Sequence, residues 1–321
     1  MKRDHIFLVL KIGVTAGLVY LLIDNIDARS VAQRIAEASL AWFAAALVLF
    51  AVLVAFGVVR WWLVLRAVTR GLPVFLCTRL TLIGLFFNQT LPSTVGGDAS
   101  RVFYTWRAGI DASRAFNSVM LDRVAGLVVL VVLATAILPV VESRLDDPLA
   151  TAGLRLLIAA GWIAAIGLFI FDNPLTRRFE RYRIAAFALE LSRDARRVTR
   201  RPLTALGVVV SAAMVHVVTV AILWCLDRAL GGNAPYTVYF LAMIPTLLVI
   251  SIPVSIAGWG LREQSLVILL GSLGIAAEHA ASVSILYGIV LLVGGLPGGL
   301  IWLVTRKQQA PDAPPPAERA A

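Results

Sequence analysis

Two short stretches carry most of the residues whose types and spacing could do chemistry. In the first, Asn88 and Gln89 stand before Pro92, and Gly96, Gly97, Asp98 and Arg101 follow it. That places two amides, an anion and a cation within fourteen residues of a strongly apolar run. Burying such a set in hydrocarbon is costly unless it lines a cavity. The glycine pair lets the chain turn sharply and leaves amide groups free, and a helix starting near Asp98 beside an arginine is a natural seat for a phosphate. The plainer reading is that Asp98 caps the helix and Arg101 pairs with it. Both readings stay open for Asp98, whereas for Arg101 we take ligand contact.

The second stretch repeats the spacing. Pro253, Gly258 and Arg262 are separated as Pro92, Gly97 and Arg101 are, and Ser251, Ser255, Gly260 and Glu263 surround them. Glu263 has no counterpart in the first copy; it either pairs with Arg262 or titrates. Trp259 reads as an interfacial anchor. A further pair, Asp122 and Arg123, sits in SVMLDRVAGLVVL. A mutual or cross-helix ion pair near the membrane edge is preferred there to headgroup contact.

The elements that must position these residues follow from composition. With 60% hydrophobic and 15% charged residues, the chain departs far from the quarter charged that is typical of soluble domains. It reads as an all-α polytopic membrane protein. The formal charge of +10 then belongs beside anionic headgroups, and we expect no nucleic-acid partner. Two cysteines exclude a disulfide framework, and the histidines His5, His216 and His279 are too dispersed to suggest a metal site. We expect no cofactor. His216, in mid-span, reads as a hydrogen-bonded packing residue. The run from Ile6 follows Lys2 and Arg3 like a signal peptide, but its length and the absence of a small-x-small site favour a retained helix.

Eighteen helical residues rise about 27 Å, enough to cross the hydrocarbon core. Six runs qualify: 6–23 (with Lys11 near one end), 40–65, 117–141, 153–171, 203–228 and 281–304. Two others, 74–91 and 237–254, run into the proline and glycine motifs and are followed by short helical stretches at 99–114 and 261–275. They read as re-entrant hairpins, since helices broken inside a membrane need protein or water around their free carbonyls. Gly294, Gly295, Gly298 and Gly299 around Pro297 read as a close-packing surface in the last span.

Charge sets the sidedness. Residues 172–202 hold nine arginines, including Arg177, Arg178, Arg181 and Arg183, and should be cytoplasmic. The spacing of Phe179, Tyr182, Ala186 and Leu189 predicts an amphipathic helix lying on the membrane there. The acidic connection 142–148 and the nearly uncharged one around Gly231 should face outward. Both termini then fall in the cytoplasm of a cell (inner) membrane, with a disordered Pro/Ala-rich tail at 308–321 after a membrane domain at 1–307. On this path the hairpins enter from opposite faces. The fold is therefore expected to be six full transmembrane helices plus two re-entrant hairpins arranged as inverted repeats, with halves at about 6–141 and 153–304. Such halves are the usual architecture of alternating-access transporters.

The strings NQTLPSTVGGDASR, DRVAGL and IPVSIAGWGLRE together resemble the membrane region of lysylphosphatidylglycerol synthases, a flippase-like family, over about residues 6–304. The resemblance implies movement of a lipid between leaflets and points to Asn88, Pro92, Gly97, Asp98, Arg101, Asp122, Arg123, Pro253, Gly258, Arg262 and Glu263. Bifunctional members continue into a soluble aminoacyl-transferase domain, whereas this chain ends in a short tail, so it is not expected to make lysylphosphatidylglycerol itself; a separate lipid-modifying enzyme and a second copy of the chain are candidate partners.

The leading expectation is thus a transporter and not an enzyme, moving a phosphate-bearing lipid: a phospholipid, an aminoacylated phospholipid or a polyprenyl-linked lipid. No Gly-rich loop ends in Gly-Lys-Ser or Gly-Lys-Thr, so no ATP site drives it. The alternatives are a membrane-embedded glycosyl or polyprenyl-phosphate transferase, with Asp24 and Asp27 or Asp146 and Asp147 holding a metal, and a small-solute secondary transporter of the same architecture.

Overall fold

The computed structural model describes residues 27–90, 96–145, 147–170, 182–252 and 259–306. The expected span at 6–23, the residues Pro92, Pro253, Ser255 and Gly258, the acids Asp24 and Asp146, and the tail at 308–321 lie outside them. The helices among the described residues are α1 (Ala28–Ala36), α2 (Leu40–Val68), α3 (Val74–Thr90), α4 (Gly96–Arg107), α5 (Ala112–Glu142) and α6 (Pro148–Ile170). They continue with α7 (Arg183–Thr199), α8 (Pro202–Ala229), α9 (Tyr236–Ile250), α10 (Leu261–Ser272) and α11 (Ala277–Arg306). Five of them, α2, α5, α6, α8 and α11, are long and apolar enough to cross a membrane, and they coincide with five of the six expected spans. The chain is a multi-pass helical membrane protein.

Local chemistry places the helix starts. Asp27 caps α1 by accepting from Arg29 N at 3.0 Å, Asp111 caps α5 through Ser113 N at 3.0 Å, and Asp147 caps α6 through Leu149 N at 2.8 Å. A side-chain oxygen at this position satisfies one of the amides that a helix leaves open. Because Asp111 supplies that cap, α5 begins at Ala112 and not near 117, and Asp122 lies three turns inside it.

Helices α2 and α8 form the centre of the bundle and run antiparallel. Ser39 N, before α2, donates to Ala229 O at the end of α8 at 2.8 Å, and Arg201 Nη1, before α8, donates to Arg66 O near the end of α2 at 3.4 Å. Trp61, Leu65, Leu223, Leu226, Tyr239, Met243 and Ile244 fill the core between them and their neighbours. The broken segments consequently start from opposite ends. The α3/α4 pair leaves from the end of α2 and returns there, where Arg70 Nη2 donates to Gly109 O at 3.0 Å. The α9/α10 pair leaves from the end of α8 and returns to it, where His279 reaches Asp227.

Packing has an exchange symmetry. Among α2–α5 and α8–α11, each packed pair has a partner when the two sets are swapped: α3 on α4 with α9 on α10, α3 on α11 with α9 on α5, α4 on α5 with α10 on α11. The same holds for α2 on α3 with α8 on α9, α2 on α5 with α8 on α11, and α5 on α8 with α11 on α2.

Charge divides the ends. Where α2 finishes, Arg66, Arg70, Arg107, Arg114, Arg197, Arg200 and Arg201 gather, whereas the other end mixes Arg29, Arg34 and Arg144 with Glu37, Glu142 and Asp147. Between them the flanks expose apolar side chains such as Leu156, Ile163, Leu206 and Leu300.

The arginine-rich helix α7 is docked differently from the expectation. Its buried residues are Leu189, Ser192, Asp194, Ala195 and Val198, which pack towards α2, α5, α6 and α8, while Tyr182 is exposed. Ala195 and Val198 share a small core with Val64, Val68, Leu121 and Val208. Leu189 of the expected stripe thus covers protein together with Ala195 and Val198, while Phe179 is outside the described residues.

The glycines of α11 act as a close-packing surface. A methyl group on Gly298 would fall on the Leu82 carbonyl of α3, and one on Gly294 or Gly299 would meet the ring of Phe50 or Phe86. Backbone cannot move aside as a side chain can. Gly298→Ala is expected to destabilise the protein by about 1–3 kcal/mol, seen as a lowered thermal unfolding midpoint in detergent. Gly57→Ala, with nothing within 4 Å of the added carbon, should leave the midpoint unchanged or raise it.

Candidate functional site

The first broken segment is held closed by glycine. Gly84 of α3 and Gly97 of α4 meet backbone to backbone, so that a Cβ on Gly84 would lie 3.0 Å from Gly97 O. Gly97 N donates to Asn88 Oδ1 at 2.9 Å, which joins the legs across the break. One turn further on, this close approach lays Arg101 against Gly84 and directs it between the helices.

An alternating chain of charges results. Arg60 Nε of α2 donates to Asp122 Oδ1 at 2.7 Å, and Asp122 Oδ2 accepts from Arg101 Nη1 at 3.0 Å. Arg101 Nη2 donates to Asp98 Oδ1 at 2.6 Å, and Arg123 grips Asp98 with Nε at 2.8 Å and Nη2 at 2.9 Å. Three helices, α2, α4 and α5, thus converge on three guanidinium groups and two carboxylates, a formal charge of +1. Desolvated charges of this kind need partners in good geometry, and the Trp61 ring adds one 5.0 Å from the Arg101 guanidinium carbon. Asp122 is 2% exposed and forms the cross-helix ion pairs preferred from the sequence, with Arg60 and Arg101. The exposed member is Arg123, whose side chain is 50% accessible against 8% for Arg101.

Beside this end of the chain lies an apolar groove of about 360 Å³, lined by Asp98, Val102, Phe103, Trp106, Phe116 and Met120. A site that offers a charged edge at one end of an apolar groove can hold an amphiphile with its anionic group on Arg123 and its chain in the groove.

The second broken segment carries a different arrangement. Gly260 has φ +81°, a left-handed conformation that favours glycine, and starts α10. Its N donates to Glu263 Oε2 at 2.7 Å, while Glu263 Oε1 accepts from Arg262 Nε at 3.0 Å and from Ser284 Oγ at 3.2 Å. Arg262 lies between the rings of Trp259 and Tyr287, at 4.9 and 5.3 Å. Trp259 is therefore a packing partner of the arginine. Glu263 neutralises Arg262 and caps α10, and both are 2% exposed.

No side-chain contact among the described residues joins the two clusters. Gln89 lies near Gly295, 3.8 Å from where a Cβ there would stand, and Gly96 is the first residue of α4. His216 packs as expected, with Nε2 3.0 Å from Gly126 O. Sequence reasoning missed Arg60, Trp61, Ser284 and Tyr287. The available signal for Arg60 was an arginine inside an otherwise apolar span. It also missed a buried knot at the opposite end, where Asp227 Oδ1 accepts from Tyr239 Oη at 2.7 Å and meets His279 Nε2 at 2.7 Å. Among the described residues no three His, Cys, Asp or Glu side chains gather as a metal site would require; Asp27 and Asp147 serve as helix caps.

Residues 8–298 match the family model described as the lysylphosphatidylglycerol synthase TM region. The chain belongs to this family. Comparison with curated proteins gives no match. The matched region of the lysylphosphatidylglycerol synthase TM family takes in both broken segments, so the Arg60–Asp122–Arg101–Asp98–Arg123 chain and the Arg262–Glu263 pair both lie within the family domain and not in an appendage to it.

Proposed function

We propose that this chain is a translocase that moves a phosphate-bearing lipid between leaflets, without catalysing a covalent step. The observation that carries the reading is the ion chain of net charge +1, which ends in a half-exposed arginine bonded to Asp98, itself part of the lining of an apolar groove. Arg123 would receive the phosphate, Arg101, Asp98 and Asp122 would hold it in position, and the groove would take part of an acyl chain. Phosphoryl oxygens suit the planar guanidinium. A small-solute carrier has no need of an apolar groove beside its charged site.

The exchange symmetry of the packing supports two inverted repeats, with α3/α4 and α9/α10 as re-entrant hairpins; the sixth span of this reading, the apolar run at 6–23, rests on the sequence alone. Rocking of one half against the other would expose the site alternately. The arginine-rich end would lie in the cytoplasm of the cell membrane together with both termini. Single cysteines at Ser143 and Thr199 test this topology, because both positions are exposed and lie at opposite ends of the bundle, while the native Cys77 and Cys225 are buried. They are expected to label from opposite sides of sealed vesicles with an impermeant maleimide; labelling from one side would rule out the topology.

Transport itself is tested with purified protein in liposomes carrying a labelled phospholipid on one leaflet. Exchange above that of protein-free vesicles is expected, and exchange equal to theirs for phosphatidylglycerol, aminoacylated phosphatidylglycerol and a polyprenyl phosphate alike would refute the proposal.

A further inference from the structure

A second basic site lies away from the broken helices, where α2, α5, α7 and α8 meet. Arg114 at the start of α5, Arg197 and Arg200 at the end of α7, and Arg201 before α8 surround an open cavity of about 460 Å³ floored by residues 67–69 of α2. Among the described residues of the adjoining segments, three carboxylates already have partners. Asp194 takes Arg197 Nη1 at 2.7 Å and Asn117 Nδ2 at 3.1 Å, Asp111 caps α5, and Glu190 accepts from Ser113 Oγ at 2.7 Å. Arg201 donates to the carbonyl of Arg66 at 3.4 Å and, among the described residues, has no ion pair. Among the described residues Arg114 and Arg200 have no ion pair. The cavity therefore gathers four arginines of which, among the described residues, only Arg197 has an ion pair, on a scaffold made rigid by four packed helices.

The occupant is defined by what lies next to the cavity. Immediately after Arg201, α8 presents Leu203, Leu206 and Val210, which are 84, 60 and 48% exposed and recur at helical spacing. Arginines above an exposed apolar stripe match a molecule with an anionic group above hydrocarbon chains. We propose that this cavity binds the phosphate of an anionic phospholipid, with the acyl chains lying along the first turns of α8. The site is distinct from the groove beside Arg123, shares no residue with it, and does not depend on transport.

Native mass spectrometry tests it on full-length protein equilibrated in detergent with phosphatidylglycerol, with phosphatidylcholine, or with phosphatidylglycerol plus excess inorganic phosphate. Each arginine beside an anionic lipid contributes about a fivefold factor, so Arg114→Gln with Arg200→Gln is expected to lower retention of one phosphatidylglycerol by more than about tenfold. The double lysine variant should keep it, and Arg29→Gln with Arg144→Gln, which removes the same charge at the other end, should also keep it. Equal retention by the double glutamine variant would overturn the proposal, as would equal retention of phosphatidylcholine. Displacement by inorganic phosphate would assign the cavity to a free anion instead of a lipid. Loss of leaflet exchange in the Arg123 variant with retention intact would separate the two sites.

Discussion

Replacing Arg123 with glutamine is expected to slow phospholipid leaflet exchange by about 10–100-fold, the loss of one charge-assisted contact of about 1.5–3 kcal/mol. Its effect on folding should be small. The Arg123 side chain is half exposed, and exposed pairs contribute about 0–1 kcal/mol. Its removal also leaves Arg60 and Arg101 balanced against Asp122 and Asp98. Arg101→Gln provides the contrast. That side chain bridges both aspartates from a buried position, so the variant should lose exchange and thermal stability together. Exchange at the wild-type rate in Arg123→Gln would remove this residue from the lipid path, and a large drop in its unfolding midpoint would recast it as a structural residue.

Asp122→Ala is expected to be the most destabilising single change in the site, by about 3–5 kcal/mol, because removing one partner strands buried charge. Two cations lose their link at once: Arg60, bonded through Nε at 2.7 Å, and Arg101, bonded through Nη1 at 3.0 Å. Adding Arg60→Leu should restore part of the loss, since it removes a cation whose partner is already gone. A coupling of about 0.5–3 kcal/mol between the two substitutions is the expected signature of direct contact. Unfolding in detergent followed by circular dichroism measures both. A loss below about 1 kcal/mol for Asp122→Ala would mean that water reaches these arginines and that the ion chain does not hold the first broken segment to α2 and α5.

Much of the helix pattern could be read directly from hydropathy. The spans at 40–65, 117–141, 153–171, 203–228 and 281–304 are present as α2, α5, α6, α8 and α11, because a helix that must satisfy its own backbone in lipid needs a long apolar run. As the motif near Pro253 suggests, α9 ends at Ile250, and α3 is described as far as Thr90, two residues before Pro92. Boundaries set by side-chain capping were less legible: Asp111 starts α5 five residues early, and a cap looks like any other loop aspartate in sequence. What α7 packs against was also not legible: Leu189 belongs to the stripe read from spacing, but the contribution of Ala195 and Val198 to a shared core with α2, α5 and α8 follows only from the packing.

The sequence by itself determined that the chain crosses a membrane several times and that two similar broken segments carry its charged chemistry, since both follow from transfer cost and from glycine and proline at fixed spacing. Only the tertiary structure decided how those charges are used. Asp122 is bound to an arginine 62 residues away, and Arg262 to its immediate neighbour Glu263, although the motifs around Arg101 and Arg262 read alike. Hydropathy reports whether a charge is costly to bury but not which helix will stand beside it. That partner, set by the packing of α2, α4 and α5, is what leaves Arg123 as the exposed cation of the first site.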